Sequence, residues 1–394
     1  MKSVHLSVTN DVLTDQRVNK MAQSLHRMGF RVFITGVRRS DSKPFDPDYA
    51  RVNRLPMCFQ KKFLFYAEYN IRLFFYLLFR RRDIYHSNDL DSLPANYLCA
   101  RIRRKPLVYD AHEYFTGTAE VISRPPVHRV WKSLERFLLP RQDLMITVNQ
   151  SMARLYREEY GVKPYVIRNL PRYKPPRGFI PADELSLPSH LDIILMQGTG
   201  INVDRGAEEL LEAMRPEFGI RHALLLFIGS GDVVPKLKRM ASTWDLGERV
   251  LFLDKMPPDE LYEYTLHAKV GVSLDKDTNI NHRYSLPNKL FDYIMAGVPQ
   301  LCSSLPELVN IVKKYDTGLI AVNHEPAHIA TCIQEMLSDK DRWKRWHTHS
   351  LEAARELCWE KEEKQVDAVY GRFISDSLPP SHLKVRAGNL PKRL

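Results

Sequence analysis

Residues 288–299, NKLFDYIMAGVP, predict a short helix whose N-terminus suits an anion. Pro287 and the asparagine after it are typical of the start of a helix, and Gly297 is typical of the position beyond its last turn. The free N–H groups of the first turn carry a partial positive charge, and Lys289 adds a full charge, so this end favours a phosphate. Asp292, one turn later, offers oxygens that can accept hydrogen bonds from a sugar diol. Taken alone, the stretch also fits a capped amphipathic helix with a solvated lysine.

The composition of this 394-residue chain, 44% hydrophobic and 27% charged, is typical of a soluble globular protein with two or more domains. Five cysteines are scattered without metal or redox spacing, which favours a cytoplasmic, reducing location. The first apolar run is too short for a signal peptide, and none reaches the roughly 18 residues of a spanning helix. The net charge of +11 suits an anionic substrate, membrane or nucleic acid. Nucleic acid is not expected, because no recognition signature accompanies the charge.

The first half of the chain alternates apolar strand patterns with helical ones. Strands are predicted at residues 4–8, 31–35, 84–86, 107–109 and 144–148, and the first helix at 15–28. A proline-rich linker is predicted at 169–189, after which the alternation restarts. The later strands are predicted at 192–197, 223–228, 250–253, 270–274 and 300–302, with a helix at 207–214 and a long final helix at 355–373.

This alternation predicts an α/β fold with two doubly wound, Rossmann-like domains that face a cleft. The predicted divisions are an acceptor-binding domain at 1–172, a nucleotide-sugar-binding domain at 173–354, a closing helix at 355–375 that returns to the first domain, and a basic, disordered tail at 376–394. No G-x-G-x-x-G follows the first strand, so a dinucleotide oxidoreductase is not expected. Walker A and nucleophile-elbow patterns are also absent from the sequence.

The cleft-facing ends of the second domain's strands carry glycine turns and cations. QGTG at 197–200 follows one strand, Arg205 stands before a glycine at the start of a helix, and GSG at 229–231 follows a later strand. Glycine lets a backbone approach a ligand closely, and two cations can neutralise a diphosphate. A single glycine turn usually has no ligand-binding role. Together, the glycine turns, Arg205 and Lys289 indicate an anion site in this half of the cleft.

With these motifs the chain resembles the retaining glycosyltransferases of family four, which have the GT-B fold. The resemblance covers nearly the whole chain. It is carried by QGTGINVDRGAEELLEAM, LLLFIGSGD, RVLFLDKMPPDELYEY and SLPNKLFDYIMAGVPQLCSSLPEL in the second half, and by TDQRV, YDAHEYF, DLMITVNQSM and CWEKEEKQVDAVY elsewhere. The family implies a nucleotide-diphosphate sugar that binds mainly to the second domain. No cofactor or metal is implied.

The resemblance also implies site residues, position by position. Arg205 and Lys289 would serve the diphosphate, Asp292 the ribose, and His112 would lie against the donor sugar. The implied donor contacts are Gly198, Thr199, Gly229, Ser230, Lys255, Met256, Tyr284, Ser285, Leu286, Asn288 and Asp292. The implied acceptor contacts are Asn10, Asp11, Asp15 and Arg17. Both Arg205 and Lys289 are expected to be exposed in the empty cleft.

Two positions depart from the family pattern. Tyr284 stands where the first glutamate of the family's E-x7-E element should be, and Thr199 replaces the usual loop arginine. A tyrosine facing the donor sugar would change the contacts to its ring. Two D-x-D sequences, at 89–91 and 275–277, have spacing that other transferase folds use for a metal, but surface loops often produce this spacing.

The sequence therefore predicts a hexosyltransferase-like enzyme of bacterial-type polysaccharide or glycoconjugate synthesis. Its substrates would be a nucleotide sugar and a glycan or lipid-linked glycan. A sugar-nucleotide epimerase and a non-catalytic glycan-binding relative remain as alternatives. The aromatic stretch at 63–79, flanked by basic residues at 61–62 and 80–82, indicates contact with an anionic membrane, which would place the protein at the inner face of the cell membrane. A core helix of the first domain explains the same stretch equally well.

Overall fold

The computed structural model of the protein describes residues 1–40, 42–60, 62–175, 178 and 180–374. The predicted tail at 376–394 lies outside these residues. Among the helices described, none is long and apolar enough to cross a bilayer.

The first domain is a seven-stranded parallel sheet with the order β3-β2-β1-β4-β5-β6-β7. Its strands are β1 (Ser3–Ser7), β2 (Arg31–Arg38), β3 (Arg51–Pro56), β4 (Ile84–Asn88), β5 (Leu107–Ala111), β6 (Leu144–Thr147) and β7 (Tyr165–Val166). Its helices are α1 (Gln16–Arg27), α2 (Lys62–Leu78), α3 (Leu93–Arg103), α4 (Ala119–Ile122), α5 (Pro125–Leu138) and α6 (Gln150–Tyr160). The sheet reverses its winding between β1 and β4, which opens a crevice at their carboxyl ends.

The second domain repeats this arrangement in a six-stranded parallel sheet with the order β10-β9-β8-β11-β12-β13. Its strands are β8 (Asp192–Gly198), β9 (Ala223–Gly229), β10 (Val250–Leu253), β11 (Ala268–Ser273), β12 (Gln300–Ser303) and β13 (Gly318–Ala321). The helices that follow β8 are α7 (Ala207–Ala213), α8 (Val234–Thr243), α9 (Pro258–Leu266), α10 (Ile280–Arg283), α11 (Asn288–Met295), α12 (Pro306–Tyr315), α13 (Pro326–Ser338), α14 (Lys340–Glu356) and α15 (Trp359–Ile374). Its winding reverses between β8 and β11.

Each sheet is covered on both faces, so the central strands β1, β4 and β5 of the first sheet are buried along their whole length rather than at alternate residues. β9, with the sequence ALLLFIG, sends alternate side chains into two separate cores of the second domain. The first sheet likewise divides two cores. This architecture confirms the predicted fold class of two doubly wound domains.

The long helix predicted at 355–373 is in fact two helices. α14 ends at Glu356, and α15 begins at Trp359. Leu357 is buried in a core of the second domain, whereas Trp359 is buried in a core of the first, against α1. The helix breaks because consecutive residues have to fill two different cores. The backbone N–H of Trp359 donates to the Pro171 carbonyl at 2.7 Å, so the two chain crossings between the domains lie side by side.

Candidate active site

A cleft of about 480 Å³ lies at the carboxyl ends of both sheets. Its lining is Asn10, Thr14, Asp15, Gln16, Arg17, His112, Glu113, Val148, Met152, Asn169, Thr199, Arg205, Asn281, Ser285, Leu286, Pro287 and Asn288. Both domains therefore contribute to it, and most of the side chains are polar. Nine of the residues predicted for the site line this cleft, but Lys289 and Asp292 do not.

The fully buried carboxylate of Asp275 lies next to both predicted diphosphate cations. Arg205 Nη1 donates to Asp275 Oδ2 at 3.0 Å, and Lys289 Nζ lies 3.7 Å from Asp275 Oδ1. The Lys289 side chain is only 13% exposed, so the expectation of an exposed lysine is wrong. It is drawn in because a buried carboxylate requires a positive partner. With two cations and one carboxylate, the cluster keeps a net positive charge beside the cleft.

Local backbone structure explains how this cluster forms. Gly206 has φ +73°, and a Cβ there would meet the Leu274 carbonyl oxygen at 2.3 Å. Glycine thus allows the start of α7 to touch the end of β11, which brings Arg205 to Asp275. On the other side, α11 starts after Pro287, and Gly297 ends it with φ +70°, as predicted.

Asp292, one turn further along the same helix, is partly buried and does not line the cleft. Its Oδ2 is 3.4 Å from Gln197 Nε2, and the Gln197 amide oxygen in turn accepts from Thr265 Oγ1 at 2.8 Å. Burial raises the pKa of Asp292 to about 6, although the positive charge of Lys20 opposes this rise. Lys20 belongs to the first domain, so Asp292 is influenced by charges from both halves of the protein.

His112 is held at the end of β5 by two carboxylates. Its Nδ1 lies 3.3 Å from Asp89 Oδ2, and its Nε2 lies 3.6 Å from Asp110 Oδ2. Burial disfavours the imidazolium, but Asp89 and Asp110 outweigh burial and raise the pKa of His112 to about 9. The ring is therefore positively charged at neutral pH and can donate hydrogen bonds, but it cannot act as a base.

The four residues predicted for acceptor binding are all engaged in contacts within the first domain. Arg17 is buried, and its guanidinium donates two bonds to the Asp110 carboxylate at 3.0 and 2.7 Å. Asp15 caps α1 through the Val18 N–H and accepts from Asn10 Nδ2 at 3.3 Å. Asn10, Asp15 and Arg17 line the cleft.

Asp11 does not line the cleft. It instead accepts the Leu13 N–H at 3.1 Å and lies 3.2 Å from Arg54 Nη2. Its contacts stabilise the loop after β1. The sequence could predict that these four residues lie at the same end of the first sheet. It could not predict that the Arg17 side chain pairs with Asp110 inside the domain.

The predicted glycine loops pack against each other. A Cβ on Gly229 would lie 1.8 Å from the Gly198 carbonyl oxygen, and the Ser230 N–H donates to that same oxygen at 3.2 Å. Of the residues predicted in these loops, Thr199 reaches the cleft lining. Gly198, Gly229 and Ser230 therefore hold the two loops together but do not line the cleft.

Three further predicted donor contacts also lie away from the cleft lining. Lys255 is exposed, and Met256 packs at the edge of a second-domain core. The ring of Tyr284 packs against a core of the first domain, and its carbonyl accepts from Asn149 Nδ2 at 2.8 Å. This placement differs from the expectation that Tyr284 faces the donor sugar, because the short helix α10 turns its C-terminus towards the other domain.

Sequence reasoning missed a pair of residues that joins the two domains across the cleft. Asn281 Nδ2 donates to Glu113 Oε2 at 3.0 Å, and Asn281 Oδ1 accepts the Tyr114 N–H at 3.2 Å. Burial, followed by the nearby charge of Asp89, raises the pKa of Glu113 to about 7. In the sequence, the one feature that could have marked Glu113 as a site residue was its position next to His112.

The D-x-D carboxylates all have protein partners. Asp89 contacts His112, Asp91 accepts from Thr9 Oγ1 at 2.6 Å, and Asp277 pairs with Arg283 at 2.8 Å, as Asp275 does with its two cations. Within the described residues, no group of three or more His, Cys, Asp or Glu side chains is arranged to hold a metal ion.

Comparison with known proteins adds independent findings. The family model described as Glycosyltransferase Family 4 matches residues 15–170, and the model described as Glycosyl transferases group 1 matches residues 184–352. A D-inositol 3-phosphate glycosyltransferase from Nocardia farcinica (strain IFM 10152) is 26% identical over 298 residues, covering 70% of this chain and 63% of that protein. The chain thus spans somewhat less than two thirds of that relative's length.

Solved structures show the same fold. Sucrose-phosphate synthase from Thermosynechococcus elongatus superposes with a TM-score of 0.79 at 17% identity, over 96% of this chain and 100% of that one. Anabaena HepE in complex with UDP-glucose superposes with a TM-score of 0.72 at 13% identity, over 94% of this chain and 100% of that one.

Proposed function

Because this chain belongs to the family 4 glycosyltransferases, which have the GT-B fold, we propose that it transfers a sugar from a nucleotide-diphosphate donor to a glycan or lipid-linked glycan acceptor. The anomeric configuration is retained. The reaction belongs to bacterial-type polysaccharide or glycoconjugate synthesis, and it requires no metal.

One observation carries this proposal: Arg205, which lines the cleft, and Lys289, at the start of α11, converge on the buried carboxylate of Asp275. Cations that are held in place before the reaction can stabilise the charge that grows on the diphosphate as the glycosidic bond breaks. The helix N-terminus adds its N–H groups to the same site. The UDP-glucose complex of the similarly folded HepE supports a nucleotide sugar as the donor.

The first domain supplies the acceptor side. The acceptor hydroxyl attacks the face of the sugar that the diphosphate leaves, and a phosphate oxygen of the departing diphosphate takes the hydroxyl proton. The charged His112 lies against the donor sugar, with its ring held in place by Asp89 and Asp110. Glu113, whose pKa is raised to about 7, lies on the same wall.

A screen for thermal stabilisation tests the donor class. A nucleoside diphosphate at 100 times its dissociation constant should stabilise the protein by about 2.7 kcal/mol. Matched nucleosides without phosphates should give almost no shift, because the proposed contacts are to the diphosphate. Equal shifts with nucleoside and nucleoside diphosphate would contradict the proposal.

The two alternatives predict different products from a stabilising nucleotide sugar. A sugar-nucleotide epimerase would release a free epimerised sugar without an acceptor. A non-catalytic glycan-binding relative would bind nucleotide or glycan without turnover, in keeping with the tyrosine at the position of the family glutamate. Transfer of labelled sugar to an acceptor excludes both.

The membrane is proposed as a further partner, at the inner face of the cell membrane. α2 buries Phe65, Tyr69, Leu73 and Leu77 in the first domain's core. Its other faces expose Phe63, Leu64, Ile71 and Phe75, and Phe79 follows its C-terminus. The helix therefore has a core face, and its second, exposed apolar face supports the proposed membrane contact.

A further inference from the structure

The Glu113 side chain lines the cleft and uses one of its two carboxylate oxygens within the protein. Among the described residues of the cleft lining, the carboxylates are those of Asp15 and Glu113. Asp15 has both oxygens engaged, since Oδ1 accepts the Val18 N–H at 3.1 Å and Oδ2 accepts from Asn10 Nδ2 at 3.3 Å. Glu113 Oε2 accepts from Asn281 Nδ2 at 3.0 Å, whereas its Oε1 accepts no hydrogen bond from the described part of the chain.

The surroundings of Glu113 compensate its negative charge poorly. Burial, then the charge of Asp89, raise its pKa to about 7, against the hydrogen bond from Asn281 and the charge of His112. A raised pKa means that the carboxylate is less well solvated here than in water. The side chain is only half-buried, so a ligand in the cleft can reach it. A ligand that donates a hydrogen bond to Oε1 would supply the missing compensation.

Helix α10 connects Glu113 to the proposed diphosphate site. Asn281 of α10 donates to Glu113, and burial and then the positive charge of Arg205 lower the pKa of the next residue, His282. Arg205 lines the same cleft as Glu113. A sugar attached to a diphosphate at Arg205 therefore lies in the space that Glu113 borders.

The second domain contributes no carboxylate to the described lining of this space. Its lining residues are neutral except for Arg205. The ring of Tyr284 packs against a core of the first domain and does not line the cleft. Hydrogen bonds to an ionised acceptor are stronger than those between neutral groups, so Glu113 Oε1 is the strongest unused acceptor that the described lining offers to a sugar hydroxyl.

We infer that Glu113 accepts a hydrogen bond from a ring hydroxyl of the donor sugar through Oε1, and that this contact determines which donor sugars are used. The inference rests on the proposed glycosyl transfer and adds to it a donor-specificity residue from the first domain. Asn281 holds the other carboxylate oxygen, so the orientation of Glu113 depends on contact between the two domains.

Calorimetric titration of the full chain tests this contact. The probes are the nucleotide sugar that gives the largest thermal shift among UDP-, GDP- and ADP-linked hexoses, and the matching nucleoside diphosphate. Glu113→Gln keeps an oxygen for Asn281 but replaces the free oxygen with an amide NH₂, so affinity for the nucleotide sugar should fall about tenfold or more. Affinity for the nucleoside diphosphate should not fall, because it lacks the sugar. Equal losses for the two ligands, or no loss for the nucleotide sugar, would overturn the inference.

Glu120→Gln is the matched control. Glu120 is exposed on α4, does not line the cleft, and its charge also acts on Glu113. The same neutralisation there should change the affinity for either ligand by less than about twofold. A loss as large as that in Glu113→Gln would show that the general charge of this region governs binding, and it would overturn the inference.

Donor analogues that lack one sugar hydroxyl identify the partner of Oε1. In the wild type, one such analogue should bind about tenfold more weakly than the parent nucleotide sugar, whereas in Glu113→Gln the two should bind within about twofold of each other. Asn281→Ala removes the contact between the domains but leaves Oε1, so this variant should keep the wild-type discrimination. No such convergence at any hydroxyl position in Glu113→Gln, or the same convergence in Asn281→Ala, would overturn the inference.

Steady-state transfer separates the donor from the acceptor. Glu113→Gln should raise the KM for the nucleotide sugar and leave the KM for the acceptor unchanged. An increase confined to the KM for the acceptor would overturn the inference and leave the proposed function intact. Failure of every nucleotide sugar to stabilise the wild type would instead contradict the proposed function and the inference together.

Discussion

At the scale of single residues, Asp275 is the centre of the proposed donor site. Asp275→Asn should lower the free energy of unfolding by about 1–3 kcal/mol, because two neighbouring cations would lose their buried counter-charge. Urea denaturation measures this. Asp277→Asn is a matched control, since its pair with Arg283 is exposed, and it should leave the midpoint almost unchanged. Equal effects of the two changes would show that Asp275 has no special electrostatic role.

His112 gives a pH-dependent prediction. Its pKa of about 9 in the folded protein lies above the usual value of 6.5, so its charge stabilises the fold. This contribution, on the order of 3 kcal/mol, is complete below pH 6.5 and is lost as the pH rises towards 9. The stability difference between wild type and His112→Gln should therefore shrink over that interval. Parallel stability curves from pH 6 to 9.5 would contradict the assignment of charge to His112.

Some of these residues could be found from the sequence and others could not. Lys289 and Gly297 follow from local rules, because helix starts and stops have signals within a few positions. The bridging role of Asp275 and the contact between Asn281 and Glu113 depend on distant segments meeting in space. Short-range sequence patterns carry no information on contacts between distant segments. The burial of Lys289 was not predicted for the same reason, because it depends on the contact with Asp275.

At the scale of elements, α2 shows how one helix can bury one face and expose another apolar one. Two of its expected basic anchors, Arg80 and Arg81, are exposed beyond its C-terminus. Arg82 is buried, with its guanidinium 3.6 Å from the centre of the Phe33 ring, so it is not available to a membrane. Of these three arginines, Arg80 and Arg81 are therefore suitable for a test of membrane contact.

Vesicle co-sedimentation at low salt provides that test. Replacing both Arg80 and Arg81 with glutamine should weaken binding to anionic vesicles roughly 30-fold, at about 1 kcal/mol for each basic residue near the surface. The same change at Lys238 and Arg239, on the exposed face of α8, serves as a control and should have little effect. The absence of wild-type binding, or equal losses in both variants, would contradict contact through α2.

Elements with strong apolar patterns were predicted within a few residues, as for β10, whose bounds agree with the prediction. β3, β7 and β13 were missed because none has a clear apolar strand pattern: β3 (RVNRLP) contains two arginines, β7 has only two residues, and β13 (GLIA) begins with glycine. The break before Trp359 was missed because the helical pattern continues through it. Only the two separate cores explain why the backbone turns there.

At the scale of the whole molecule, two similar domains divide the chemistry between them. The second contributes fixed positive charge, and the first contributes His112 and Glu113. Their connection is compact, since the linker near Pro171 meets the start of α15. The cleft thus lies between two units that contact each other through Asn281 and through the paired chain crossings.

The most direct test of the donor assignment is a double-mutant cycle on turnover with the identified nucleotide sugar. Arg205→Ala and Lys289→Ala should each lower kcat about 10²–10³-fold, by analogy with the loss of one preorganised donor. Their combined effect should be less than the product of the two, because both serve one diphosphate. Circular dichroism confirms that each variant is folded at the assay temperature. Near-normal kcat in both single variants would contradict the placement of the diphosphate between these two cations.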